Sequence, residues 1–340
     1  MALNYCEDKL YAEGRNLKQY QVVVPTDIRP PALKMLSKDC EIRIWECKEP
    51  IPNETLYAWI QDADGLFMTG HGVKVDSELL SHAPNLRVIA QASAGIENVD
   101  LGACTKRKIP FSNTPGPVVE ATADLTFGIL LSAARRIHEG WNWVLSGKWE
   151  NTELPFGVDL FNKTLGIVGM GNIGVAVAKR AQASGLNVVY HNRNRRADED
   201  ALNVKYVSFD DLLANADFIV VMVPLSSESR GMFGQTQFAK MRPSTYFINA
   251  ARGALVDTGA LYDALLRGTI AYAAIDVTDP EPLPSNHPLL SLPNILVTPH
   301  IGTATAETRN AMACLAAENL LAGLAKKPLP TCVNKEVNYR

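Results

Sequence analysis

The chain has 340 residues, enough for two domains of ordinary size, and its 47% hydrophobic and 20% charged residues describe a soluble globular protein. A net charge of −3 gives no electrostatic reason to expect nucleic acid or an anionic membrane as partner, and no apolar run reaches the roughly 18 residues of a membrane span. Six scattered cysteines (Cys6, Cys40, Cys47, Cys104, Cys314, Cys332), with no C-x-x-C pair, read as reduced thiols of a cytoplasmic protein, and the polar start Met1–Gln19 does not read as a signal peptide.

Residues 1–19 read as a loosely held extension. Strands are expected at Gln21–Val24, Glu41–Trp45, Gly65–Met68, Leu86–Ala90 and Lys108–Ser112, with helices at Pro30–Ser37, Glu54–Asp62 and Asp76–His82 between them. Such alternation implies a parallel sheet with helices on both faces. Asn113-Thr114-Pro115-Gly116-Pro117 breaks the pattern and marks an interdomain crossing. The Ala- and Leu-rich stretch Val118–Leu145 is long for one globular helix; it reads as two helices, or as one that also packs on a partner subunit. A second alternation begins at Thr164, with strands Leu165–Val168, Asn187–Tyr190, Phe218–Val221, Tyr246–Asn249, Ala271–Ile275 and Ile295–Val297. The final helix, Thr303–Ala325, is expected to cross back into the first domain. The fold class is therefore α/β: two doubly wound parallel-sheet domains, with a Rossmann domain (116–302) inserted in a flavodoxin-like domain (1–115 and 303–340).

The most informative stretch is TLGIVGMGNIG at 164–174. An apolar strand leads into Gly169, Gly171 and Gly174 in G-x-G-x-x-G spacing, and a helix follows. The first glycine permits the tight turn, the second lets backbone approach a pyrophosphate, and the third lets helix and strand pack closely. The helix N-terminus then offers free N–H groups to the phosphates. An NAD site places an acid about 20 residues further on. Here Asn192 ends the second strand, Arg193, Arg195 and Arg196 follow, and no acid appears before Asp198. Arginines pair with a 2′-phosphate that a carboxylate would repel, so the run favours NADP(H), with NAD(H) possible; a solvated basic loop tolerating either cofactor is the alternative.

Three stretches lie at the carboxyl ends of second-domain strands, where ligands bind in this architecture. Asn249-Ala250-Ala251-Arg252-Gly253 presents an arginine fork suited to a carboxylate, Asp276–Pro282 carries Glu281 between two prolines, and Thr298–Gly302 carries His300 just past a strand. Each has a plain structural alternative: an arginine paired to a helix, a surface acid in a turn, an incidental histidine. Together they suit reduction of a 2-keto acid: Arg252 binds carboxylate and carbonyl, and His300 donates a proton to the developing alkoxide. A neighbouring Glu281 would stabilise the imidazolium that donates. No metal-ligand spacing and no G-x-S-x-G nucleophile motif is present.

These stretches resemble the D-isomer-specific 2-hydroxyacid dehydrogenase family. GIVGMGNIG at 166–174, VMVPL at 221–225, INAARGALVD at 248–257, AAIDVTDPEP at 273–282 and TPHIGTAT at 298–305 carry the likeness, with SAGIENVD at 93–100 and NTPGPVVEATAD at 113–124. The resemblance implies that Arg252, Glu281 and His300 are catalytic. It implies cofactor contacts from Thr122, Gly169, Gly171, Asn172, Ile173, Gly174, Asn192, Arg193, Arg195, Arg196, Val223, Pro224, Ala251, Asp276 and Gly302, with Asp276 at the nicotinamide carboxamide. Ala94 and Gly95 resemble a loop whose N–H groups hold the substrate carboxylate. The likeness is nearest to glyoxylate/hydroxypyruvate reductases and 2-ketogluconate reductases, and implies a small 2-keto acid substrate and a homodimer built on the long-helix region. Met68, His71, Trp141 and Trp149 are candidates to shape the pocket. A phosphite or formate oxidiser on the same fold, or a dinucleotide-sensing corepressor, are the alternatives.

Overall fold

Short β-branched runs bounded by Gly, Pro or Asp form the strands, because such side chains pack well on a pleated, buried surface. A computed structural model describes residues 9–11, 19–70, 72–337 and 339. They divide into two compact units: residues up to Val118 together with those from Thr305 on, and Val119–Ala304.

The first unit holds a six-stranded sheet of β1 (Lys9–Tyr11), β2 (Tyr20–Val24), β3 (Cys40–Ile44), β4 (Gly65–Thr69), β5 (Val88–Ala92) and β6 (Phe111–Ser112), in the order β1-β3-β2-β4-β5-β6. All neighbours are parallel except β1 with β3. The parallel part has the flavodoxin-like order. The helix Ala306–Leu324 packs on this sheet, close enough that a Cβ on Gly323 would stand 2.5 Å from Val88. Two expectations are corrected here. The N-terminal stretch is not wholly a loose extension, since Lys9–Tyr11 adds an antiparallel edge strand. Cys47 is disulfide-bonded, whereas Cys104, Cys314 and Cys332 are free thiols.

The second unit holds β7 (Thr164–Val168), β8 (Asn187–His191), β9 (Lys205–Tyr206), β10 (Phe218–Val221), β11 (Tyr246–Asn249), β12 (Tyr272–Ile275) and β13 (Ile295–Val297). Their order, β13-β12-β11-β10-β7-β8-β9, is fully parallel and reverses direction at β7/β10. Ligands bind such sheets outside the carboxyl ends of the strands, at that switch point. Strands β7, β10, β11 and β12 are almost wholly buried, as a sheet covered on both faces requires. The long apolar stretch is two helices, Val118–Ala134 and Ile137–Leu145. They break at Arg136, whose φ of 53° is left-handed and whose guanidinium Nε donates to the Phe156 carbonyl at 3.0 Å. Among the described residues no helix is long and apolar enough to cross a membrane.

Candidate active site

The glycine loop sits between β7 and the helix Asn172–Ala183, and the surroundings of each glycine differ. Gly169 has φ +104°, and a Cβ there would meet the Met222–Val223 backbone at about the 2.5 Å carbon separation of a clash. Gly174 lies so close to the Gly169 carbonyl that any Cβ would overlap it. At Gly171 a Cβ would meet nothing within 4 Å, which leaves open space over the loop. The helix starts with no side-chain cap, and among the described residues nothing accepts from the N–H groups of Asn172, Ile173 and Gly174. A positively polarised helix end with unclaimed donors beside open space fits a pyrophosphate.

The peptide of Met170, inside this loop, is held from both sides. Its N–H donates to Asn192 Oδ1 at 2.6 Å, and its carbonyl accepts from Arg196 Nη1 at 2.9 Å. Asn192 Oδ1 is thus engaged with the loop, and its Nδ2 is left to donate to a ribose. The three arginines each have a carboxylate. Arg193 meets Glu228 at 3.1 Å with both side chains largely exposed (85% and 75%). Arg195 Nε meets Glu199 at 2.8 Å, and Arg196 forks onto Asp198 at 2.8 and 2.7 Å. Arg195 holds the Glu199 carboxyl below its ordinary range, and Arg196 does the same for Asp198, so both acids are ionised at neutral pH. The basic run is therefore not the unopposed positive patch that its sequence suggests.

Three strand ends bring the remaining residues together. After β11, the buried Asn249 accepts from the Ala251 N–H at 3.0 Å and donates to the Arg252 carbonyl at 2.9 Å, fixing the turn that carries Arg252. Arg252 Nη1 donates to the Ala251 carbonyl at 2.7 Å. The next residue, Gly253, abuts the Thr278 carbonyl, where no Cβ fits. That contact docks the Arg252 turn on the loop after β12, which carries Glu281. Glu281 Oε2 accepts from the Thr278 N–H at 3.2 Å, and its Oε1 meets His300 Nδ1 at 2.5 Å.

Asp276, 1% exposed at the end of β12, organises the His300 loop. Its oxygens accept from Thr298 Oγ1 at 2.6 Å, the Ile301 N–H at 2.8 Å and the Gly302 N–H at 2.8 Å. Its carbonyl accepts from the His300 N–H at 2.9 Å. His300 itself takes the left-handed conformation, φ 53°, which a non-glycine residue adopts at a cost of about 1–2 kcal/mol and which these bonds over-determine. Thr122 packs on Gly302, whose Cβ position lies 3.6 Å from the threonine Cγ2. Val223 follows the β10 end beside Gly169, and the Pro224 carbonyl accepts from Ser229 Oγ at 2.8 Å.

Ala94 and Gly95 lie after β5 in the first unit, half-buried. Of the pocket candidates, Met68 is fully buried in the β4 core and does not line a surface, Trp141 and Trp149 are exposed on the second unit, and His71 lies outside the described residues. Four structural partners were not singled out in the sequence: Met170 acts through its peptide, Gly253 through close approach, and Asn249 and Thr298 through side-chain bonds that fix the loops carrying Arg252 and His300. Gly253 alone could have been suspected, as a glycine beside a charged residue at a strand end.

Known proteins resemble this chain over most of its length. Residues 127–302 match the model of the D-isomer specific 2-hydroxyacid dehydrogenase, NAD binding domain. The glyoxylate reductase of Aeropyrum pernix is 41% identical over 328 residues, covering 94% of this chain and 98% of that protein. A solved glyoxylate reductase from Paecilomyes thermophila superposes with a TM-score of 0.86 at 33% identity, covering 94% of this chain and all of that one (100%). An NADPH-dependent glyoxylate/hydroxypyruvate reductase from Sinorhizobium meliloti, solved in complex with NADP and malonate, has a TM-score of 0.83 at 30% identity, covering 94% and 98%. Sequence, fold and the ordered strand-end motifs agree, and the chain belongs to the D-isomer specific 2-hydroxyacid dehydrogenase family, in its glyoxylate reductase branch.

Proposed function

We propose that the protein reduces glyoxylate, hydroxypyruvate or a similar small 2-keto acid to the D-2-hydroxy acid, using a reduced nicotinamide dinucleotide. The observation that carries this reading is the His300–Glu281 pair, 2.5 Å apart, at the carboxyl ends of the sheet that also holds the glycine loop. The open space at Gly171 and the uncapped N–H groups of Asn172–Gly174 would hold the pyrophosphate. When bound, the nicotinamide supplies a hydride to the keto carbon. Glu281 grips His300 at Nδ1 and fixes the orientation of its ring, and the Nε2 position gives its proton to the keto oxygen as that oxygen gains charge. Arg252 pairs with the substrate carboxylate and polarises the carbonyl. Asp276 and Thr298 keep the His300 backbone in its left-handed turn.

We further propose NADPH as the preferred cofactor. No acid stands at the end of β8 to repel a 2′-phosphate, and Arg193 is tied only to an exposed glutamate, a pair that costs little to exchange. Arg195 and Arg196 are more firmly held by Glu199 and Asp198. The preference is accordingly about tenfold, the lower end of what one charged hydrogen bond contributes. The protein works as a homodimer. Helix Ile137–Leu145 has no buried residue, and Ile137, Trp141, Val144 and Leu145 form one apolar face; Trp149 and Phe156, just beyond it in sequence, are 75% and 92% exposed. An exposed apolar patch of this kind marks an interface. The reading is tested by following NADPH absorbance with glyoxylate and hydroxypyruvate; oxidation with either supports it, and failure with both refutes it.

A further inference from the structure

The segment that follows β8 grips the glycine loop at three backbone groups. The His191 carbonyl accepts from the Gly169 N–H at 3.0 Å, and Asn192 Oδ1 accepts from the Met170 N–H at 2.6 Å. Arg196 Nη1 then donates to the Met170 carbonyl at 2.9 Å. That carbonyl belongs to the Met170–Gly171 peptide. In a trans peptide the C=O and N–H point in opposite directions, so tying the carbonyl to Arg196 turns the Gly171 N–H away from it. Among the described residues nothing accepts from the Gly171 N–H, and the space over Gly171 is open. The Gly171 N–H thus joins those of Asn172, Ile173 and Gly174 as a donor suited to a pyrophosphate.

Arg196 is held for this task from its backbone outward. Its N–H donates to Tyr190 Oη at 2.9 Å. Tyr190 is fully buried on β8, and the same hydroxyl donates to the buried Glu199 carboxylate at 2.8 Å. Arg195 supplies the charge opposite Glu199. The Nε and Nη2 of Arg196 fork onto Asp198, which leaves Nη1 to meet the loop. The Arg196 side chain is 27% exposed, against 85% for Arg193. A guanidinium so enclosed is less suited to a phosphate than Arg193, because the Asp198 carboxylate beside it repels the charge that it would attract. Arg193, by contrast, has a partner that solvent can replace.

We propose that Arg196 is a positioning residue for the pyrophosphate loop and not a reader of the 2′-phosphate: it fixes the Met170–Gly171 peptide so that the Gly171 N–H meets the pyrophosphate, which NADPH and NADH share. The inference rests on the reading of the glycine loop as a dinucleotide site, and divides the basic run after β8 by role. Arg193 bears on the choice between the two cofactors, and Arg196 bears on both alike. Residue type conceals the division, since both are arginines; the bond to the Met170 carbonyl reveals it.

The test is calorimetric titration of two cofactor fragments into the wild type, Arg196→Met and Arg193→Gln. Adenosine diphosphate ribose carries the pyrophosphate and no 2′-phosphate; adenosine 2′-monophosphate carries the 2′-phosphate and no pyrophosphate. In Arg196→Met the Kd for the diphosphate rises about tenfold and the Kd for the 2′-monophosphate is unchanged, a split that general loosening of the unit does not produce. Arg193→Gln gives the opposite split. Arg196→Lys keeps the charge but cannot fork onto Asp198 and reach Met170 at once, so it shows the Arg196→Met split with a smaller rise, and stands alone if Arg196→Met does not fold. Fluorescence titration extends the test to the whole cofactors: in Arg196→Met the Kd for NADPH and the Kd for NADH rise by the same factor. A rise for the 2′-monophosphate, a changed ratio of the NADPH and NADH values, or no change for any ligand overturns the proposal. If the wild type binds the diphosphate but not the 2′-monophosphate, the NADPH preference alone fails, and the diphosphate Kd of the variants still decides the role of Arg196.

Discussion

At the scale of single residues, the candidate side chains stand out in the sequence, whereas the groups that hold them do not. Arg252, Glu281 and His300 stand out in the sequence because each follows a strand beside glycine or proline. Nothing in the sequence says that Asn192 Oδ1 caps the Met170 N–H, or that Glu228, Glu199 and Asp198 oppose the three arginines. Backbone partners depend on a turn geometry that residue type does not encode. The Asn192 bond sharpens one prediction. Aspartate also offers an acceptor to Met170, so Asn192→Asp fits without repacking, yet adds a charge that attracts a ribose hydroxyl and repels a 2′-phosphate. The ratio of kcat/KM for NADPH over NADH should fall by about tenfold or more in this variant. A ratio equal to that of the wild type would show that the β8 end does not read the cofactor.

Among the elements, the strands of the second unit were legible because they are continuous apolar runs between glycines and helical patterns. The strands β1 and β9 were not, since they are short and polar and exist only because an edge strand offers them hydrogen bonds. The split of the long apolar stretch at Arg136 depends on the Phe156 carbonyl, twenty residues away in sequence. The proposed catalytic elements are three loops locked to one another, and Gly253 is the point of closest approach between two of them. A methyl group there must push the Thr278 backbone away and carry Glu281 with it. Misplacing a catalytic group by about 1 Å can cost on the order of a hundredfold. Gly253→Ala should therefore lower kcat by about that factor while the KM for NADPH changes little, as stopped-time or continuous NADPH assays would reveal. Near-normal kcat would mean that the loops are not coupled at this contact.

For the whole molecule, two sheets, the second parallel and the first parallel but for its edge strand β1, share one chain, and the helix Ala306–Leu324 returns to the first of them after the second is complete. Alternating strand and helix patterns made this class legible; for the Val118–Leu145 stretch the sequence left packing on a partner subunit as one of two readings, because burial by a partner looks in sequence like burial in a core. Sedimentation of the wild type should give a dimer, and Trp141→Glu with Leu145→Glu should give a monomer; a monomeric wild type would leave that face without its proposed role. The central claim is that His300, held by Glu281, donates the proton in reduction of a 2-keto acid. It is tested most directly by comparing turnover of glyoxylate with NADPH in the wild type and in His300→Ala. The account predicts that kcat falls by about 10²–10⁴-fold in the variant while the KM for NADPH stays near that of the wild type. A His300→Ala enzyme that turns over glyoxylate at close to the wild-type rate would contradict it.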